Sequence, residues 1–321
     1  MERPLDKRDP VLVTGAAGLV GRAVLRRLQS LGWEVVALDR SSSRIADVTV
    51  EAADLRDPHR LHALAARQRL AGIIHCGGIS GPMLGKDSPF SIVETNILGT
   101  ANLLEIARIH AIPRFVFCSS CSVYGSTGGA AIGDQTALRP TSVYGASKVA
   151  GEQLVAAYAR EHGLAGVSLR LSWIYGPERT TDCILRDMIK AAMAGAEFER
   201  PWGKGFPRQY IHADDAAQAL VTAFSAPTLQ RTEYAITGDR LDTLDAVADL
   251  VRTVFPDAAI RLGQGPDPLD DFQGVIDITP AKFELGYRAQ VDLRDGIRDM
   301  ALRLGRLRLE EYSSSPPAGQ S

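Results

Sequence analysis

The sequence predicts an α/β protein: a parallel sheet covered by helices on both faces, followed by a smaller α/β lobe. Two observations carry this expectation. Short β-branched apolar runs alternate with longer amphipathic stretches over the first 170 residues, a rhythm that builds βαβ units. After Arg170 the rhythm loosens into shorter elements separated by loops rich in Gly and Pro.

In chain order, Val11–Thr14, Glu34–Asp39, Gly72–Cys76, Arg114–Ser119 and Gly166–Arg170 read as buried strands. Leu19–Leu31, Asp57–Arg69, Phe90–His110 and Val143–His162 place apolar residues at helical spacing. Tyr175–Thr181 and Pro201–Gln209 read as loops. Asp214–Phe224 reads as a helix whose opening acidic pair suits the helix dipole and caps its start. Strands at Tyr234–Thr237 and Ala259–Leu262 follow, with helices at Leu244–Val254, Pro280–Leu285 and Asp292–Leu304. The expected division gives 1–172 to the first domain, with 209–232 returning to it. Residues 173–208 and 233–311 form the second lobe, and 312–321, small, polar and Pro-containing, a disordered tail.

Composition narrows the function. A chain of 321 residues buries a sizeable core without metal or disulfide. Lysine and arginine (36) nearly balance aspartate and glutamate (38), which leaves no basic footprint for nucleic acid or a membrane surface. No apolar run suits a signal peptide or a membrane span. Four scattered cysteines fit a reducing cytoplasm. Cys118 and Cys121 form a lone C-x-x-C and the six histidines lack ligand spacing, so no metal site is expected.

The first strand runs straight into TGAAGLVG, where Gly15, Gly18 and Gly21 recur every third residue ahead of a helix. Such a turn lets backbone amides approach a pyrophosphate at the helix N-terminus. Asp39 ends the second strand, 18 residues past Gly21. A carboxylate there accepts both adenosine ribose hydroxyls and repels a 2′-phosphate, favouring NAD over NADP, with Arg40 beside it pulling the other way. Asp54 and Leu55 are expected near the adenine.

Tyr144 and Lys148 stand four apart at the start of a helix, on one face. A phenol with a pKa near ~10 is a poor base at neutral pH until a close ammonium favours its phenolate. Upstream, CSSCSVYG ends a strand, so Ser120 faces the ligand crevice.

TGAAGLVG, Asp39, NILGT, SSCSVYG, YGASK, YGP and RQYIHADD thus follow one another over residues 11 to about 300. The sequence resembles the extended short-chain dehydrogenase/reductases, in particular the NAD-dependent epimerase/dehydratase family. The resemblance implies a doubly wound Rossmann-type domain and a smaller C-terminal substrate lobe. It implies Ser120, Tyr144 and Lys148 as the catalytic set. For the cofactor it implies Gly15, Ala17, Gly18, Leu19, Val20, Asp39, Arg40, Asp54, Leu55, Cys76, Gly77, Gly78, Asn96, Tyr144 and Lys148. Asn96 is also expected to brace the active-site strands. A homodimer through the helices Phe90–His110 and Val143–His162 is common in the family, although core packing explains the same apolar stripes.

The substrate is less determined. Dehydratases of the group carry an Asp-Glu pair before VYG; this chain has Cys121-Ser122, which disfavours elimination of water. Arg208 matches the arginine that grips a sugar-nucleotide diphosphate. Trp173 stands where that group usually has a substrate-touching Asn, and His75-x-Gly77-Gly78 resembles the uronate dehydrogenases. Ser80, Ser120, Ser122, Trp173, Arg179 and Arg208 are the expected substrate contacts. The leading expectation is an NAD-dependent epimerase of a nucleotide sugar. The alternative is an NAD-dependent dehydrogenase of a small carbohydrate or sugar acid. A non-catalytic NAD-binding regulator is a third reading, at odds with retention of both Tyr144 and Lys148.

Overall fold

The structure, a computed structural model, describes residues 5–81 and 83–314, with side chains to 305. The first strands and helices are β1 (Val11–Thr14), α1 (Leu19–Ser30), β2 (Val35–Asp39), β3 (Ser43–Ile45), β4 (Val48–Ala52), α2 (Pro58–Ala65) and β5 (Gly72–His75). A short α3 (Pro89–Ile92) then runs through a π-helical segment (Val93–Leu98) into α4 (Gly99–Ile109). The sheet continues with β6 (Arg114–Ser120), α5 (Val143–His162) and β7 (Ala165–Leu171). The remaining elements are β8 (Trp173–Tyr175), α6 (Ile184–Met193), β9 (Phe198–Lys204), β10 (Pro207–Arg208), β11 (Tyr210–His212), α7 (Ala213–Ser225), β12 (Glu233–Ile236), β13 (Asp242–Thr243), α8 (Leu244–Val254), β14 (Ile260–Gln264), α9 (Thr279–Glu284) and α10 (Leu293–Ser314).

The central sheet has the order β12-β7-β6-β5-β1-β2-β4-β3, parallel throughout except for β3 against β4. Alternation along each strand fills two cores. Val11 and Val13 face α1 and α7 on one side, while Leu12 joins Leu61, Leu104 and Phe115 under α2 and α4 on the other. Continuous burial on both faces is what a near-unbroken apolar strand sequence requires. Gly151 lets α5 lie close on β6: a Cβ there would come within 2.6 Å of the Phe117 ring.

A second core of Leu185, Met188, Ile189, Phe206, Leu244, Val247, Ile297 and Met300 unites α6, α8 and α10 with β9 and β14. The elements before β8 follow the expected order to within a few residues, apart from β3 and β4, which extend the sheet beyond β2. The later region holds the differences. Pro201–Gln209, expected as a loop, contains β10 and most of β9, which pair with β13 and β14. Gly203 and Gly205 disguise these strands by breaking the apolar alternation. β12 hydrogen-bonds to β7, and Ile278, Ala281 and Tyr287 pack into the central-sheet core. Those residues therefore sit with the large sheet, not the second lobe. Helix α10 extends to Ser314, so part of the expected tail is helical, and the rest lies outside the described residues.

Candidate active site

The direction of winding reverses at β1, which pairs with β2 on one side and β5 on the other. Ligands of such sheets bind beyond the strand C-termini at that reversal. Gly15 leaves β1 with φ +65°, and a Cβ on it would lie 2.6 Å from the Gly77 amide nitrogen, so the two turns close tightly over the crevice. Helix α1 starts at Gly18 with no side-chain cap and no acidic residue in its first turn. Its opening amides, including those of Leu19 and Val20, are those a pyrophosphate needs. The Asp39 carboxylate is held at the crevice by the Ala17 amide (2.9 Å) and the Arg40 amide (2.7 Å).

Other expected cofactor contacts are less direct. The Arg40 side chain is exposed, as are Gly78 and Ser80. The Asp54 carboxylate pairs with Arg56 at 2.7 Å, which keeps it below the usual carboxylate range. Leu55 is buried against Gly77 and Gly99. Cys76 and Cys118 share a thiol contact that raises the Cys76 pKa, and all four cysteines are free. Cys121, by contrast, donates an S–H hydrogen bond to the Arg170 carbonyl oxygen at 3.3 Å.

His75, behind these glycines, is buried within a directed chain of hydrogen bonds. The Thr100 hydroxyl donates to the Asn96 carbonyl (2.5 Å), so it accepts from His75 Nε2 (3.0 Å). Nδ1 then accepts from Thr14 (2.7 Å), whose oxygen receives the Gly77 amide (3.2 Å). Burial, with Lys148 nearby, pushes His75 down to about 3, so the ring stays neutral. Asn96 sits in the π-helical segment and is itself buried. Its Oδ1 accepts the Ile79 amide (2.8 Å) and its Nδ2 donates to the Ile79 carbonyl (3.1 Å) and to Ser147 Oγ (3.0 Å). It braces the loop after β5 against α5.

Tyr144, Lys148 and Glu152 follow one another at four-residue steps along the sheet-facing side of α5, and all three are buried. Lys148 Nζ donates to the Cys118 carbonyl at 2.8 Å and lies 5.8 Å from the Tyr144 ring centre. The Tyr144 hydroxyl has no hydrogen-bond partner among the described residues. Ser120 ends β6, and its hydroxyl donates to Ser122 Oγ at 3.1 Å. Beneath them Glu152 takes a double hydrogen bond from Arg170 (2.8 and 3.0 Å) and one from Ser119 (2.6 Å), while Arg170 also reaches the Tyr124 hydroxyl. This network pins α5 to β6 and β7.

β8 continues from β7 and pairs with β11, which brings Trp173 beside β10. The Arg208 guanidinium stacks 3.9 Å from the centre of the Trp173 ring. Arg208, matched by position to the arginine that grips a sugar-nucleotide diphosphate, is paired here: Asp267 holds it at 2.5 Å and Asp270 at 3.0 Å. Burial pushes Asp270 up to about 6 even with Arg208 alongside. A cleft here is lined by Ser172, Trp173, Arg208, Asp271 and Gln273 among others. Arg179 is likewise engaged, donating to the Ile174 and Asp182 carbonyls. Among the described residues no cluster of three metal-ligating side chains occurs, and no helix is long and apolar enough to cross a membrane.

The model of the NAD dependent epimerase/dehydratase family matches residues 11–237. The chain belongs to this family. It is accordingly an NAD-dependent enzyme of the extended short-chain dehydrogenase/reductase type, with a Rossmann-type sheet. It is 28% identical to a dTDP-glucose 4,6-dehydratase of Streptomyces niveus, over 89% of this chain and 90% of that protein. To UDP-glucuronate 4-epimerase 4 of Arabidopsis thaliana it is 27% identical, over 90% and 73%. The UDP-glucose 4-epimerase of Thermus thermophilus, solved with NAD, superposes with a TM-score of 0.83 at 26% identity, covering 92% of this chain and 99% of that one. The uncapped start of α1 and the tethered Asp39 carboxylate fit the phosphates and ribose of that cofactor.

Some neighbours of the expected site residues could not be read from the sequence. Glu152 and Arg170 carried one available signal, a glutamate continuing the Tyr144–Lys148 spacing. Asp267 and Asp270 carried none, being about 60 residues from Arg208. Asp214 and Asp215, expected to cap α7, do other work. His212 Nδ1 accepts the Asp214 amide as the cap, while Asp214 pairs with Arg26 and Asp215 holds the amides of Gln290 and Val291.

Proposed function

We propose that the chain is an epimerase that oxidises a hydroxyl-bearing carbon of a sugar to a ketone and reduces it from the opposite face. The observation that carries this reading is the Tyr144–Lys148 pair, its ammonium anchored to the Cys118 carbonyl and its phenol without a hydrogen-bond partner among the described residues. NAD, when bound, supplies the hydride acceptor and donor. Tyr144 takes the hydroxyl proton, and the fixed charge of Lys148 stabilises the phenolate that receives or releases it. Ser120 turns its hydroxyl from Ser122 to the substrate oxygen and steadies the developing charge.

Elimination of water is not part of the proposal. Cys121 and Ser122 hold the place where dehydratases present an acid and a base. Burial pushes the Cys121 thiol up to about 12, out of range for proton transfer near neutrality. A second reading, net oxidation with release of NADH, is favoured by the pairing of Arg208 with two carboxylates, since it removes the expected phosphate grip of nucleotide-sugar enzymes. A panel of sugars, sugar acids and nucleotide sugars, run with and without added NAD, separates the two. Epimer formed without added NAD supports the first reading; NADH accumulating in step with product replaces it by the second.

We further propose a homodimer through the outer sides of the helical stretch from α3 to α4 and of α5, where Phe90 (68%), Leu98 (49%), Ile109 (52%) and Val143 (42%) stay exposed. Sedimentation at equilibrium tests it: a monomer at every concentration refutes it.

A further inference from the structure

We infer that the substrate of this site carries no nucleoside diphosphate, and that the wall beside Trp173 takes an uncharged, hydroxyl-bearing group. The inference rests on the reading of Tyr144 as the residue that handles a sugar hydroxyl. Ser172 and Trp173 directly follow Leu171, the register partner of Ser120, so the wall adjoins the reacting end.

Three features of the wall argue against phosphate. The Arg208 side chain is 2% exposed, one face is covered by Trp173, and Asp267 and Asp270 take its NH2 and Nε groups. A diphosphate that used this guanidinium would leave both carboxylates, 8% and 11% exposed, unpaired in the interior. That penalty corresponds to about a thousandfold in affinity. Asp271, on the same wall, adds a third carboxylate, hydrogen-bonded by Thr141 at 2.7 Å. Arg208 thus meets two carboxylates in contact and a third on the same wall, while Arg179, 6.0 Å from the Trp173 ring, is committed to backbone carbonyls.

The same wall suits hydroxyl donors. Gln273 commits its amide nitrogen to the Cys121 and Gly125 carbonyls, which turns its oxygen into an available acceptor. The Ser172 hydroxyl is buried and has no hydrogen-bond partner among the described residues. With the Asp271 carboxylate these groups offer acceptors to the O–H groups of a sugar or polyol, and the cation lining the cleft, Arg208, is already paired.

Uridine diphosphate is titrated into the NAD-loaded chain by calorimetry, in parallel with turnover of free sugars and their UDP derivatives. The wild type should bind uridine diphosphate no tighter than millimolar and turn over the free sugar. The Asp267→Asn/Asp270→Asn variant, which frees Arg208, should gain at least about tenfold in affinity for the diphosphate. Should the double variant fail to fold, Asp270→Asn alone should show a smaller gain, and the wild-type titration stands without either. Micromolar binding by the wild type, with turnover of a UDP-sugar, overturns the inference. Turnover surviving in Tyr144→Phe overturns the underlying reading of the site instead, and leaves the diphosphate titration untouched.

Discussion

The crevice between Gly15 and Gly77 and the wall between Trp173 and Arg208 are built in opposite ways. The crevice is backbone: a left-handed glycine, an uncapped helix start and a carboxylate held by two amides. The wall is side chain: a guanidinium, two carboxylates and an indole drawn from β8, β10 and the loop after β14. A backbone site tolerates few sequences and so announces itself as a motif. A side-chain site is specified by which charge meets which, and the same arginine means different things with and without its carboxylates.

The sharpest way to break this contrast lies between the two regions. Tyr144→Phe keeps the ring and its packing but removes the exchangeable proton. Turnover should fall by about 10²–10⁴ while NAD affinity, read by fluorescence titration, holds. A drop under tenfold would remove Tyr144 from the proton step. Next in size, Glu152→Ala strands the Arg170 guanidinium in the interior and should destabilise the chain by about 3–5 kcal/mol in urea denaturation. Glu152→Gln, which keeps a hydrogen-bond acceptor, should cost less.

On the backbone side, Gly15→Ala forces a Cβ against the Gly77 amide at a positive φ. Strain of about 1–3 kcal/mol should weaken NAD binding about tenfold, and unchanged affinity would show that the turn yields. The smallest effect belongs to the wall and depends on pH. Asp270 is raised in the folded state to about 6, so its stabilising share is present below the ordinary Asp pKa of ~4 and lost as pH rises through about 6. Below about 6 Asp270 is protonated, and Arg208 loses one of the two carboxylate charges paired with it. Inhibition by sulfate, whose charge is constant over this range, should therefore strengthen a few-fold from about pH 7.5 to about pH 5, and Asp270→Asn should abolish that dependence.

How much of this was legible follows the same divide. β1, α5 and α8 have the bounds that their apolar spacing implied, because each buries a continuous face. The glycine turn, Asp39 and the Tyr144–Lys148 pair could be read at short range, since each is a local spacing. β9 and β10 could not, because their glycines look like loop and their strand character comes from partners β13 and β14. Arg208 could be picked out by its position but its pairing could not, for the carboxylates that hold it arrive from a distant segment. Asn96 was readable as a brace, though the π-helical turn that aims it inward was not.

That amide joins the loop bordering the crevice to the helix carrying the phenol and the amine. A displacement of the loop is therefore handed on to the helix, and the two cannot drift independently. Loosening this one tether should blur alignment more than it weakens attachment, leaving a protein that still captures its dinucleotide yet reacts slowly.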